Sequence, residues 1–170
     1  MAISLRNRQK RVPVETTWLR RVGERALAAL ALPTAECSVL LVDDSAMAEL
    51  NHTYRGVTGP TDVLAFPMTE GRFGATSTSP RALRQAQGRG TRAEGPDLLG
   101  DVVISAETAA RQARVRKADV RGELALLLVH GILHLVGYDH GSTAGRRRMW
   151  KKQRVILKVC GVCAPMTRKG

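Results

Sequence analysis

Aromatic side chains are scarce in this chain, with two Trp, two Tyr and two Phe among 170 residues. So few rings argue against a platform that stacks several bases in a row. Cysteine is scarce as well: Cys37, Cys160 and Cys163 are an odd number and give no disulfide framework. Cys160-Gly-Val-Cys163 has a redox or metal spacing. It lies in a terminal tail without the strand-to-helix context of a redox pair, and a structural zinc would need two more ligands. Long hydrophobic runs are missing too. The longest, about Leu124 to Val136, is interrupted by two histidines and is shorter than the roughly 20 residues that span a membrane. The first residues are charged and carry no apolar run of the secretory kind. These absences set the expectation of a reduced, cytoplasmic protein without a membrane partner.

Negative charge is also in short supply. The chain has 15 Asp+Glu against 27 Lys+Arg, a formal net charge of +12. Such an excess favours a polyanionic partner, and with so few aromatics, phosphate contact should dominate over base reading. The cations cluster: Arg6, Arg8, Lys10 and Arg11 open the chain, and Arg146, Arg147, Arg148, Lys151, Lys152 and Arg154 form a second group.

What is present is a histidine window. Three of the four histidines fall in His130-Gly-Ile-Leu-His134-Leu-Val-Gly137-Tyr-Asp-His140. His130 and His134 are four apart, so on a helix their rings share one face. Gly137 lets the chain leave the helix through a left-handed turn and carry His140 back. The segment is apolar nearly all round, so the histidines need partners or a ligand: an unpaired buried polar group costs roughly 1–3 kcal/mol. Three neutral imidazoles with a fourth position left for water is the pattern of a catalytic zinc site. The spacing H-x-x-x-H-x-x-G-x-x-H also belongs to a class of zinc peptidases. Those carry a glutamate after the first histidine as general base, and here that position is Gly131.

The rest of the chain reads as mixed strands and helices. Strands are expected at Ile3–Leu5, Cys37–Val42, Asp62–Phe66 and Asp101–Ile104, the last introduced by Leu99-Gly100. Helices are expected at about Val14–Ala31, from a cap at Asp44 or Ser45 to Tyr54, and from Ser105 to Lys117. Two more follow: the metal-bearing helix after Asp119, and a basic one at about Ala144–Val159. Residues 72–97, rich in Gly, Ser, Thr, Arg and Gln, read as a disordered insertion within a single domain spanning 1–170. Without regular βαβ alternation the pattern is α+β: a small mixed sheet, about five helices, and the metal helix packed beneath the sheet.

With these residues in view, the chain resembles the YbeY family of bacterial metal-dependent endoribonucleases. His130 to His140 matches the family signature H-G-x-L-H-L-x-G-Y-D-H at every specified position. Further matching blocks are Leu50-Asn51 to Tyr54-Arg55, Thr61 to Pro67, Leu99-Gly100-Asp101-Val102, and Met149 with Gln153. Together they span about residues 36–70 and 98–155. Two departures stand out: Ala65 where the family usually has serine, and the longer 72–97 insertion.

The resemblance implies a zincin-like fold holding zinc on His130, His134 and His140. It implies an endoribonuclease preferring single-stranded RNA, acting in 16S rRNA 3′-end maturation and ribosome quality control. Implied partners are ribosomal RNA, the small ribosomal subunit, and a ribosomal protein or GTPase. The family's arginine near the metal falls on Arg55, a cation suited to the charge of phosphodiester cleavage. Arg146, Arg147, Arg148, Lys151 and Lys152 are the expected grip on the RNA backbone. Asp139 is the candidate general base or histidine-orienting partner, with Asp62 and Asp101 as alternatives; Tyr138 reads as packing. Two other readings stay open at this point, a zinc peptidase and a non-enzymatic RNA-binding assembly factor with a structural metal.

Overall fold

Short aliphatic runs alternating with polar residues supply the strands. A computed structural model describes residues 2–68 and 97–163. β1 (Ile3–Asn7), β2 (Glu36–Val42), β3 (Val63–Pro67) and β4 (Leu98–Ser105) form one sheet in the order β1-β2-β4-β3. β1, β2 and β4 run parallel, and β3 closes one edge antiparallel to β4. The sheet is therefore mixed, as the pattern of elements predicts.

β4 is twice the expected length, because Leu99-Gly100 lies within the strand and does not merely introduce it. Gly100 sits at φ 135° where the ladder to β2 shifts register, and a Cβ there would lie 2.1 Å from the Phe66 carbonyl oxygen. Only glycine lets the bulge pass so close to β3, and the strand runs on through it. β3 likewise includes Pro67, which the sequence places just past its end. The ladder bond there is made by Met68, whose N–H donates to the Leu99 carbonyl at 3.0 Å, so the missing proline N–H costs nothing on this edge.

The helices are α1 (Thr16–Ala29), α2 (Asp44–Arg55), α3 (Ala106–Val115), α4 (Val120–Leu135) and α5 (Thr143–Val159). Ser105 and Asp119 cap α3 and α4 as expected. α1 is shorter than expected because Ala31 turns left-handed at φ 60°. α2 is capped by Asp43 rather than Asp44 or Ser45: the Asp43 side chain accepts from the Ala46 N–H at 2.9 Å. That releases Asp44 to bind α3. Its carboxylate accepts from Ser105 Oγ at 2.6 Å and Thr108 Oγ1 at 2.7 Å, and pairs with Arg111.

α4 is the centre of the molecule. It packs on β3 and β4 and is flanked by α1, α3 and α5. Eleven of its sixteen residues are buried, so it has no solvent face along most of its length. Each large aliphatic side chain buried there contributes roughly 1.5–3 kcal/mol. Among the described residues, the opposite face of the sheet carries α2, through a small cluster of Val42, Met47, Leu64 and Val103. Among the described residues no helix is long and apolar enough to cross a membrane. The expected insertion lies outside the described residues except for Asp97, whose carbonyl accepts from the Glu36 N–H at 2.9 Å.

Candidate metal centre

α4 ends in a Schellman turn. The Gly137 N–H donates to the His134 carbonyl at 3.1 Å and the Tyr138 N–H to the Leu133 carbonyl at 3.0 Å, with Gly137 at φ 95°. This reversal brings His140 back over the last turns of α4. Tyr138 packs against the main core, as its reading predicts.

The three imidazoles converge through the same atom. His134 Nε2 lies 3.1 Å from His130 Nε2 and 2.9 Å from His140 Nε2, and the third side of the triangle is 3.2 Å. The tautomer of His130 follows from its other nitrogen. Nδ1 lies 3.0 Å from Oε1 of Gln153, a buried side chain on α5, so Nδ1 carries the proton and Nε2 presents a lone pair. The Nε2 atoms of His134 and His140 stand around this lone pair as the other ligands of one ion would. A tetrahedral zinc shell with bonds near 2.05 Å has ligand nitrogens about 3.3 Å apart, so the donor set fits such an ion. His130, His134 and His140 are the group among the described residues that could hold a metal.

Electrostatics favour the same state. Burial first, and the neighbouring imidazole of His140, hold the His130 ring below the usual histidine range, against the pull of its Gln153 bond. His134 is pushed down to about 4 by burial and by the two adjacent rings, with Asp139 acting the other way. Neutral rings are what a metal needs.

Gln153 was visible only as a matching block residue, without a role. It is a buried polar residue on the apolar stripe of α5, between Met149 and Ile156-Leu157. A glutamine at a core position of a helix is the sequence signal that marks it.

Gly131 also receives a physical explanation. It faces β4, and a Cβ there would lie 2.6 Å from Val102 Cγ1. The position is a contact between helix and sheet, with no room for a side chain. A peptidase-type glutamate cannot be housed there.

The other expected site residues fall as follows. Arg55 is exposed in the last turn of α2, ahead of the left-handed cap Gly56, and makes no hydrogen bond or ion pair among the described residues. Asp139 is exposed in the turn after α4; its Oδ1 accepts from the His140 backbone N–H at 2.6 Å, and its charge is felt at His134. Asp62 is tied to the fold by the Val63 N–H at 2.8 Å and Gln112 Nε2 at 3.1 Å. Asp101 alternates with Val102 on β4 and so lies on the sheet face away from α4. Arg147, Arg148 and Lys151 are exposed on the side of α5 away from Gln153, Arg146 is exposed two turns before Gln153 on the same side, and Lys152 is half-buried. Cys160 is buried with its thiol toward the Val22 carbonyl, and Cys163 is exposed and free.

A family model described as Endoribonuclease YbeY matches residues 4–161. A protein named Endoribonuclease YbeY from Geobacter metallireducens is 40% identical over 94% of this chain and 95% of its own length. Its namesake from Moorella thermoacetica is 42% identical over 95% of this chain and 99% of its own. The solution structure of a Thermotoga maritima protein superposes with a TM-score of 0.59 at 23% identity, covering 93% of this chain and 88% of that one, which speaks for the fold. The histidine cluster, its carrier helix and these relatives agree, and the chain belongs to the YbeY endoribonuclease family.

Proposed function

We propose that this protein is a zinc-dependent endoribonuclease that cuts single-stranded RNA in 16S rRNA 3′-end maturation and ribosome quality control. The observation that carries the reading is the convergence of three imidazole Nε2 atoms at 2.9–3.2 Å in a member of an endoribonuclease family. His130, His134 and His140 hold the ion, and Gln153 fixes the His130 ring. Zinc, when bound, polarises a phosphate oxygen or lowers the pKa of a water towards 7. Arg55 offsets the negative charge that grows on the phosphate during cleavage. Asp139, hydrogen-bonded to the His140 backbone, orients that ligand or accepts a proton near the metal. Arg146, Arg147, Arg148, Lys151 and Lys152 hold the RNA backbone. The protein works in the cytoplasm on the small ribosomal subunit, where a ribosomal protein or a GTPase is a further partner.

The test is cleavage of a labelled single-stranded RNA carrying a small-subunit rRNA 3′ end. Wild type and His134→Ala are purified in parallel and matched by circular dichroism. Cleavage by wild type alone, lost on chelation and restored by zinc, is expected, with the variant slower by more than about a hundredfold. Equal cleavage by both proteins defeats the reading. RNA binding without cleavage by either favours an assembly factor, and a His134→Ala chain that fails to fold points to a structural metal.

A further inference from the structure

The sheet face away from α4 holds a cavity of about 640 Å³ that the metal chemistry does not use. Register explains its floor. Ser4, Ser38, Asp101 and Phe66 lie side by side across the four strands, forming one row on this face. The row beneath α2 is apolar, whereas Ser4, Ser38 and Asp101 of this row are polar and exposed among the described residues, so a ligand can reach the sheet itself. Phe66 and Tyr54 of α2 form one wall, edge to face with centroids 5.0 Å apart, and Tyr54 is 64% exposed. The other wall is β1 and its extension. Arg6 pairs with Leu40 in the ladder, and the Arg8 N–H donates to the Leu41 carbonyl at 2.9 Å, so both side chains leave a fixed backbone.

The charges of this cavity are open. Arg6, Arg8 and Asp101 are exposed and make no ion pair or side-chain hydrogen bond among the described residues. Two unpaired guanidiniums on adjoining positions suit a phosphate. An exposed ring suits the face of a base. A simple anion would be repelled by Asp101, so the ligand must also bring a hydrogen-bond donor to that carboxylate, and a ribose hydroxyl is one.

We infer that this groove binds one ribonucleotide of an RNA strand. Arg6 and Arg8 take its phosphate, Tyr54 stacks on its base, and Asp101 accepts from its ribose 2′-hydroxyl. The inference rests on RNA being the substrate, as proposed above, and adds a second contact point on the opposite face of the sheet from α4. It also accounts for the scarcity of aromatics: a site for one base needs one exposed ring.

The experiment is fluorescence anisotropy of labelled single strands of roughly ten nucleotides, RNA and DNA of the same sequence, with metal chelated so that the RNA stays intact. Wild type is compared with Arg6→Ala/Arg8→Ala, Tyr54→Ala and Asp101→Ala, each checked for unchanged melting. The double variant is expected to weaken RNA and DNA alike and to lower the slope of log affinity against log salt by about two. Tyr54→Ala should weaken both at least about fivefold. Asp101→Ala should weaken RNA alone and erase the preference over DNA. Wild-type affinity in all variants overturns the groove while leaving the metal site's reading intact. Weakening by the arginine pair alone also overturns it, since that describes a charged patch and not a nucleotide site. A wild-type protein that binds no RNA overturns both.

Discussion

The two faces of the sheet are built by different rules. Beneath it, α1, α4 and α5 enclose the main core, and two polar side chains admitted there each have a partner for one atom, while Glu123 Oε2 has none among the described residues. His130 meets Gln153, and Glu123, with no exposed surface, meets Arg116 Nη1 at 2.8 Å. Burial raises the Glu123 carboxyl and the Arg116 charge opposes that rise. Above the sheet, α2 packs on one end through a cluster of four buried apolar residues, and among the described residues nothing covers the polar row beside it. The contrast teaches where this chain places rigidity. Metal ligands must be held within fractions of an ångström, and two of the three histidines that could hold an ion grow from the most tightly packed helix. The residues of the open groove, Arg6, Arg8, Tyr54 and Asp101, are exposed and less closely held.

Three perturbations test this contrast, beginning with the largest effect. Gln153→Ala removes the acceptor that sets the His130 tautomer, and zinc affinity is expected to fall between about tenfold and a hundredfold. Competition against a chromophoric chelator measures it; an unchanged affinity would show that the packed face does not tune its ligands. Gly131→Ala forces a methyl against Val102 and should destabilise by about 1–3 kcal/mol, read from urea midpoints, with Val102→Ala restoring part of the loss. Wild-type stability in Gly131→Ala would mean that the helix and sheet are not in close contact there.

The smallest effect concerns the tether of α2. Burial alone would raise the Asp44 carboxyl, but hydrogen bonds from Arg111, Ser105 and Thr108 outweigh it and hold it below the usual aspartate range. A lowered folded-state pKa contributes stability above the ordinary value, and that stability is lost as pH falls through the folded value. Between about pH 6 and pH 2, wild type should therefore lose more stability than Asp44→Asn, and parallel acid limbs would refute the tether.

The histidine site was legible because its signals are local. The i, i+4 pair, the glycine after the last turn and the apolar surroundings all lie within one window. The α+β class and both Ser105 and Asp119 caps were legible for the same reason. Gln153 belongs to another helix, and its meaning depends on how α5 crosses α4. Gly131 looked like a missing base, whereas the contact with Val102 shows a demand of packing. Gly100 marks a strand's start as readily as a bulge within it, because both ask the same freedom of glycine. The polar row was invisible because strand register, and not sequence proximity, aligns Ser4, Ser38, Asp101 and Phe66.

The ligands also differ in what carries them. His130 and His134 sit on a buried helix, while His140 sits in the turn between α4 and α5, beside the exposed Gly137 and Asp139. Opening that turn removes one ligand while the other two remain in place. Metal exchange should then run at the rate of this local opening and not of global unfolding. With the metal centre proposed above, the protein would be able to lose and regain an ion as a folded molecule, and its activity would respond to the supply of metal around it.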